Sequence, residues 1–360
     1  MFMFVGISPH LQEVKIMSKE TTKWLNTMTL IGNVLKRGTA WHWRESEQEG
    51  ESNHYDQFVP IEDVRRRLFN WSAVETEVFI KTETGDYKQI ENRKAVMHDQ
   101  TKEVFGVFSD RFNIHQFDDA LLKNLEQILD TNELGIDSAG LLQKGGKAWV
   151  QISVPENVTT QDGFAFRPTL LASTAHNGSL ATTYRRVMQA VVCDNTLEMA
   201  LSENSKSVVK FRHKGKTMLD GSVSEVRDAL EIIYQTSDEM LAELNALSAW
   251  SVTDNQFTKL VEQMYPITVG LGTLDQPSKK SVTMQTSKRE SLQALWATDE
   301  RVVNWKNTAL GVVQAFTTFN QHIAGTDAKR VGRNYNRLVN GQQAQDDAVV
   351  LNRLRELTLV

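Results

Sequence analysis

Arg185-Arg-Val-Met-Gln-Ala-Val-Val-Cys193-Asp-Asn195-Thr-Leu-Glu-Met-Ala-Leu201 is the stretch that decides the fold. Arg186, Met188, Ala190 and Val192 alternate with Arg185, Val187, Gln189, Val191 and Cys193, the period of a strand. Both faces turn apolar toward the end, so that end is expected to be buried. Asn195 followed three positions later by Glu198 has the form of a capping box and predicts a helix starting near Asn195. A helix N-terminus fed by a strand is a place where anions bind, although a plain cap is the commoner meaning of such an asparagine.

Upstream, Thr169 to Ala175 and Leu180 to Val192 flank His176-Asn-Gly-Ser179. Asn-Gly between two strand-like runs predicts an antiparallel hairpin, of type I′ where both residues take positive φ. Ala73 to Lys81, Val104 to Phe108 and Trp149 to Val154 read as further strands, with Pro155 ending the last. Phe117, Leu121, Leu122, Leu125 and Leu129 have helical spacing.

The second half reads as helical. Ser222 to Glu225 is a capping box ahead of a stripe running from Val226 to Leu247, and Thr253-Asp-Asn-Gln256 caps another helix. Gly270 to Ser287 is polar and reads as a mobile loop, and Val302, Ala309, Val313, Phe316 and Ile323 mark a long helix after it. The pattern predicts an α+β fold: an N-terminal extension over 1–29, a mainly antiparallel sheet with packed helices over 30–215, and a helical region over 216–360. Residues 1–16 read as an extension that adds little, with Met17 as a second plausible start.

Composition bounds the function. The chain has 360 residues, 40% of them hydrophobic and 24% charged, with six prolines and a formal net charge of -5. An overall basic balance is absent, so any nucleic-acid surface must be local. One cysteine excludes an intrachain disulfide framework and a multi-cysteine metal site, and suits a reducing cytoplasm. No run is long and apolar enough to span a bilayer, and Pro9 and His10 interrupt any signal-peptide core.

The motifs that promise chemistry fail in detail. Gly140 to Lys147 has Gly146 between the second glycine and the lysine, and Ala148 where a phosphate loop needs Ser or Thr, so it reads as a turn. His42 and His54 sit near Glu45, Glu47, Glu49 and Asp56 without ligand order, and a solvated loop outweighs a metal site. Cys193 ends a buried strand and reads as a packed thiol. No catalytic residue, metal site or cofactor is assigned.

Basic clusters are the better lead. Arg185 and Arg186 form one. Lys206, Lys210, Arg212, His213, Lys214 and Lys216 gather around Phe211. Arg330, Arg333 and Arg337 interleave with Tyr335. Lysine and arginine neutralise phosphates, and an aromatic ring gives an unpaired base something to stack on. A solvated charged face is the competing meaning, and it is the stronger one for Arg65-Arg66-Arg67 beside Val64 and Leu68.

At these residues the chain resembles a family of phage/plasmid-like proteins that contain a domain of unknown function. Ala40-Trp41-His42, Gly106-Val-Phe-Ser-Asp-Arg111-Phe-Asn-Ile-His-Gln116, the Asn177-Gly178-Ser179 turn, the Cys193-Asp-Asn195-Thr196-Leu197 run, Arg212-His213 and Asn307-Thr308-Ala309 stand where that family has its landmarks. The resemblance covers roughly 39–357. It implies a phage, prophage or plasmid origin and supplies no activity. By analogy with phage proteins that anneal single strands, the leading expectation is a non-enzymatic, single-stranded nucleic-acid-binding protein of recombination or replication. It is expected to bind DNA first of all, to form a homo-oligomer, and to work in the bacterial cytoplasm away from membranes. The alternatives are a structural or host-interaction protein without nucleic acid, and a phosphoryl- or nucleotide-processing enzyme. The latter needs carboxylates converging on a metal.

Overall fold

The computed structural model describes residues 29–32, 51–123, 126, 134–153, 157–190, 196–197, 208–211, 240–267 and 279–358. Within them the chain is α+β, with an antiparallel-rich mixed sheet followed by helices. The strands are β1 (Thr29–Gly32), β2 (His54–Tyr55), β3 (Ala73–Lys81), β4 (Tyr87–His98), β5 (Val104–Ser109) and β6 (Gly135–Leu142). They continue with β7 (Lys147–Ser153), β8 (Val158–Thr159), β9 (Ala165–Ala175), β10 (Thr182–Ala190), β11 (Thr196–Leu197) and β12 (Val208–Phe211). The large sheet runs β11-β10-β9-β7-β6-β1-β2, with β8 on β9 and β12 on β10; β3-β4-β5 form a second, smaller sheet. Among the described strands only the β1–β2 pair is parallel.

One face of the large sheet packs on α1 (Ile61–Leu68) and on a π-helical turn at Asp118–Lys123. Val64 and Leu68, one turn apart, are the buried stripe of α1. Its first turn is acidic and its last holds Arg65, Arg66 and Arg67, the arrangement that complements the helix dipole. These arginines pair locally: Arg65 with Glu62, Asp118 and Glu126, and Arg66 with Glu51 and Asp63. Arg67 donates to Ser52 O and to the Tyr55 hydroxyl.

The helical part comprises α2 (240–249), α3 (Asp254–Met264), α4 (Lys279–Thr298), α5 (Ala309–Thr318), α6 (Asp327–Asn340) and α7 (Gln342–Thr358). Thr253 caps α3 in a complete capping box with Gln256, as the sequence predicts. The helices and the sheet share one core. Phe164, Phe166 and Met188 lie in the same cluster as Phe257, Trp296, Trp305 and Phe316. On the opposite sheet face, Trp149, Leu171 and Val187 pack on Leu338 and Val339 of α6.

Rings join the small sheet to the large one. Trp71 stacks on His98 at 3.9 Å, and Phe117 stacks on His176 at 3.9 Å. Gln116 donates to Ala73 O at 2.8 Å and accepts from Ala73 N at 3.0 Å, fastening the start of β3. No described helix is long and apolar enough to cross a membrane.

Several expectations are corrected. The β9–β10 hairpin forms as expected, Ser173 opposite Thr183, with β10 starting at Thr182 rather than Leu180. Gly178 has φ 70°, and Asn177 is not among the described residues with positive φ, so the turn is not type I′. Thr196 and Leu197 do not open a helix. They pair with Gln189 and Met188 as β11, a short antiparallel return onto β10 that wins over the capping signal. Lys279 to Ser287 belongs to α4 and not to a loop. The expected long helix from Val302 to Ile323 is broken by an extended Thr308, whose hydroxyl accepts from Gly311 N at 3.1 Å, and it finishes in a π-helical turn, Phe319–Ile323. The expectations for Cys193, Asn195 and Ser222 lie outside the described residues.

Candidate functional site

Strand β10 is where the basic clusters meet. β12 pairs with its first half, placing Val208 opposite Arg185, Lys210 opposite Thr183 and Phe211 opposite Thr182. Of the run from Lys206 to Lys216, Val208–Phe211 are therefore paired beside Arg185, on an outer strand among the described residues. Lys206, Arg212, His213, Lys214 and Lys216 lie outside the described residues. Arg186 stands opposite Leu170 in the register.

Arg185 is buried at 9% exposure, and its Nη1 donates to Leu338 O at 3.0 Å. Its guanidinium thereby adds a second donor to an end carbonyl of α6 that also accepts from Gly341 N at 3.0 Å. The helix stops at Gly341, φ 72°, whose backbone N–H returns to the same turn. A Cβ there would stand 2.5 Å from both terminal nitrogens of Arg185. Sequence reasoning takes Arg185 as a phosphate ligand; the fold uses its charge to hold a helix end.

The third cluster lies on α6 and divides between two faces. Tyr335 turns to the sheet and stacks on Trp149 at 4.5 Å and 24°. Beside it, Lys147 Nζ donates to Asn340 Oδ1 at 2.9 Å and to Asn336 Oδ1 at 3.3 Å. Arg330, Arg333 and Arg337 serve the other contacts of the helix. Arg330 donates to Ile323 O at 3.1 Å and Gly325 O at 3.3 Å, Arg333 donates to Asn320 O, and Arg337 pairs with Asp346. The Arg330 bond to Ile323 O and the Arg333 bond to Asn320 O tie up carbonyls of the π-helical turn, a kind of irregularity often found at functional sites. Burial, reinforced by Arg337 and Arg330 nearby, pushes the Arg333 guanidinium below its ordinary pKa.

Between the π-helical turn, α6 and α7 lies a polar cavity lined by Thr317, Asn320, Asn334, Arg337, Gln343 and Asp347, among others. Thr317 Oγ1 donates to Asp347 Oδ1 at 3.3 Å. The buried Gln343 Nε2 has no hydrogen-bond partner among the described residues. The cavity can hold a small polar group, with amides offering both donors and acceptors. Among the described residues no three His, Cys, Asp or Glu side chains converge as a metal ion needs.

Sequence reasoning missed Lys147, Gln343 and Asp347. Lys147 was read only as the end of a turn. The alternation Lys147, Trp149, Gln151, Ser153 marks one strand face, but only α6 makes that polar face an interior. Gln343 and Asp347 carry no local signal, because their cavity is made by three separate helical segments.

No curated protein and no solved structure matches this chain. A family model described as a domain of unknown function, DUF932, matches residues 104–347, which span β5, the strands β6 to β12 of the large sheet and the residues lining the polar cavity. The chain belongs to the DUF932 family.

Proposed function

We propose that this protein binds single-stranded nucleic acid, DNA foremost, without a catalytic step, as a homo-oligomeric component of phage or plasmid recombination or replication. The observation that supports this most is the β10–β12 pairing. Within the Lys206–Lys216 run, Val208–Phe211 form an outer strand with Lys210 opposite Thr183 and Phe211 opposite Thr182. Cations carried on a paired strand can track a phosphate backbone with little ordering cost, while an overall charge of -5 limits binding elsewhere. Arg185, Arg330, Arg333 and Arg337 support the frame behind this strand rather than the strand-binding surface itself.

The test is salt-dependent binding of a labelled single-stranded oligonucleotide. Affinity falls steeply with salt, at a slope near 0.7 per phosphate contact. Replacing Lys210, Arg212 and Lys214 together by glutamine flattens that slope by about two units, about three contacts at 0.7 each, and to the same degree for every base sequence. Absence of strand binding at low salt refutes the reading. Binding with an unchanged slope in the triple variant relocates the site.

A further inference from the structure

We infer a second nucleic-acid contact on the β3–β4 hairpin, where Phe79 and Tyr87 form a stacking platform for unpaired bases. This deepens the strand-binding reading above and rests on it. The distal part of the hairpin stands clear of the molecule: Phe79 is 50% exposed and Tyr87 72%. Among the described residues neither ring has a hydrogen-bond or ring partner.

Register gives the platform its shape. Phe79 lies opposite Gln89, and Lys81 lies opposite Tyr87. Directly opposed residues of an antiparallel pair share a face, so Phe79, Tyr87, Lys81 and Gln89 project from the same side. The two rings are diagonal neighbours, about 7 Å apart at that spacing, within reach of successive unstacked bases. The tip is closed by Gly85 N on Thr82 O at 3.0 Å and Thr82 N on Asp86 O at 2.8 Å, which holds both strands in register.

Lys81, directly opposite Tyr87, suits an occupant that joins a ring face to a phosphate. Lys81, Lys88 and Arg93 have no ion-pair partner among the described residues, but Glu83, Asp86 and Glu91 balance them along the arm. A nearly neutral arm attracts phosphates weakly, so its share of binding must come from stacking, with a lysine beside the ring to meet the adjoining phosphate. Position agrees. Phe108 of β5 lies against the 176–179 turn, where a Cβ on Gly178 would stand 2.7 Å from its ring. His115 bonds Thr182 at 2.8 Å, and Thr182 is the residue opposite Phe211. The base of the small sheet and the Phe211 end of β12 therefore meet the same end of the β9–β10 hairpin.

The experiment compares Phe79→Ala/Tyr87→Ala with wild type on a labelled single-stranded thymidine oligonucleotide and on an abasic strand of equal length. Wild type is expected to prefer the base-bearing strand. The double variant should lose about tenfold in affinity per ring on that strand, with its abasic binding and its salt slope unchanged. Both side chains are exposed, so thermal unfolding by circular dichroism should not move. Equal affinity of variant and wild type overturns the platform and leaves the basic run standing. Equal losses on both strands also overturn it. A change in molar mass by light scattering without nucleic acid would assign the arm to a second copy of the chain and overturn it too. If wild type binds neither strand, the proposed function falls and the platform with it.

Discussion

Lys147 combines two roles that pull against each other. Its ammonium makes two hydrogen bonds to α6, yet the side chain lies at 2% exposure, and burial holds its pKa below the ordinary 10.5. The unfolded chain then keeps a proton that the folded chain gives up as pH approaches 10.5, so stability contributed by this site rises with pH over that window. Below the folded pKa both states are protonated, and the full cost of a buried ammonium is present. Urea unfolding of wild type and Lys147→Met between about pH 8.5 and 10.5 measures this. Wild type should gain stability relative to the variant as pH rises. A difference that stays constant would mean that the two asparagines offset the burial.

At the scale of elements, the end of α6 is the most exposed to a single change. Gly341 has φ 72°, a conformation that costs an L-residue about 1–2 kcal/mol. An added Cβ also collides with the guanidinium that holds Leu338 O. Gly341→Ala should therefore lower stability by at least about 1–2 kcal/mol in chemical denaturation. Part of that loss should vanish in an Arg185→Ala background, because the collision is then gone. Additive losses would show that Arg185 yields freely and that only the backbone matters. The helix is so placed that Tyr335 can cover Trp149 while the arginines reach the π-helical turn, and a shift at its end disturbs both contacts.

Over the whole molecule, sheet and helices behave as one body because they share a core. Phe164, just ahead of β9, meets Trp305 edge-on at 4.9 Å, and both belong to the cluster that includes Leu260, Leu310 and Leu354. Phe164→Ala should cost about 3–5 kcal/mol, the range for emptying a buried aromatic site. Far-ultraviolet and near-ultraviolet circular dichroism should report coincident unfolding transitions. Two separated transitions would instead divide the chain near residue 215, where the strand-rich composition gives way to helical periodicity.

Local pattern was enough for much of this. β3 occupies the residues whose alternation announced it, Val64 and Leu68 fix the buried side of α1, Thr253 and Gln256 form their capping box, and Asn177-Gly178 lies in the connection of the β9–β10 hairpin. In each case the deciding interactions lie within a few residues along the chain, so period and cap residues contain the answer. Cations at 185, 210, 330, 333 and 337 were legible as clusters for the same reason. Their use was not, because it depends on partners far away in sequence. Arg185 serves Leu338, and Lys147 serves Asn336 and Asn340. The strand at Thr196–Leu197 is a different case, a nearby pairing with β10 that competes with a capping signal for helix. Sequence alone determined the elements and the charges they carry; the tertiary structure decided which charges hold the frame, since only packing determines which carbonyl, carboxylate or amide each one meets.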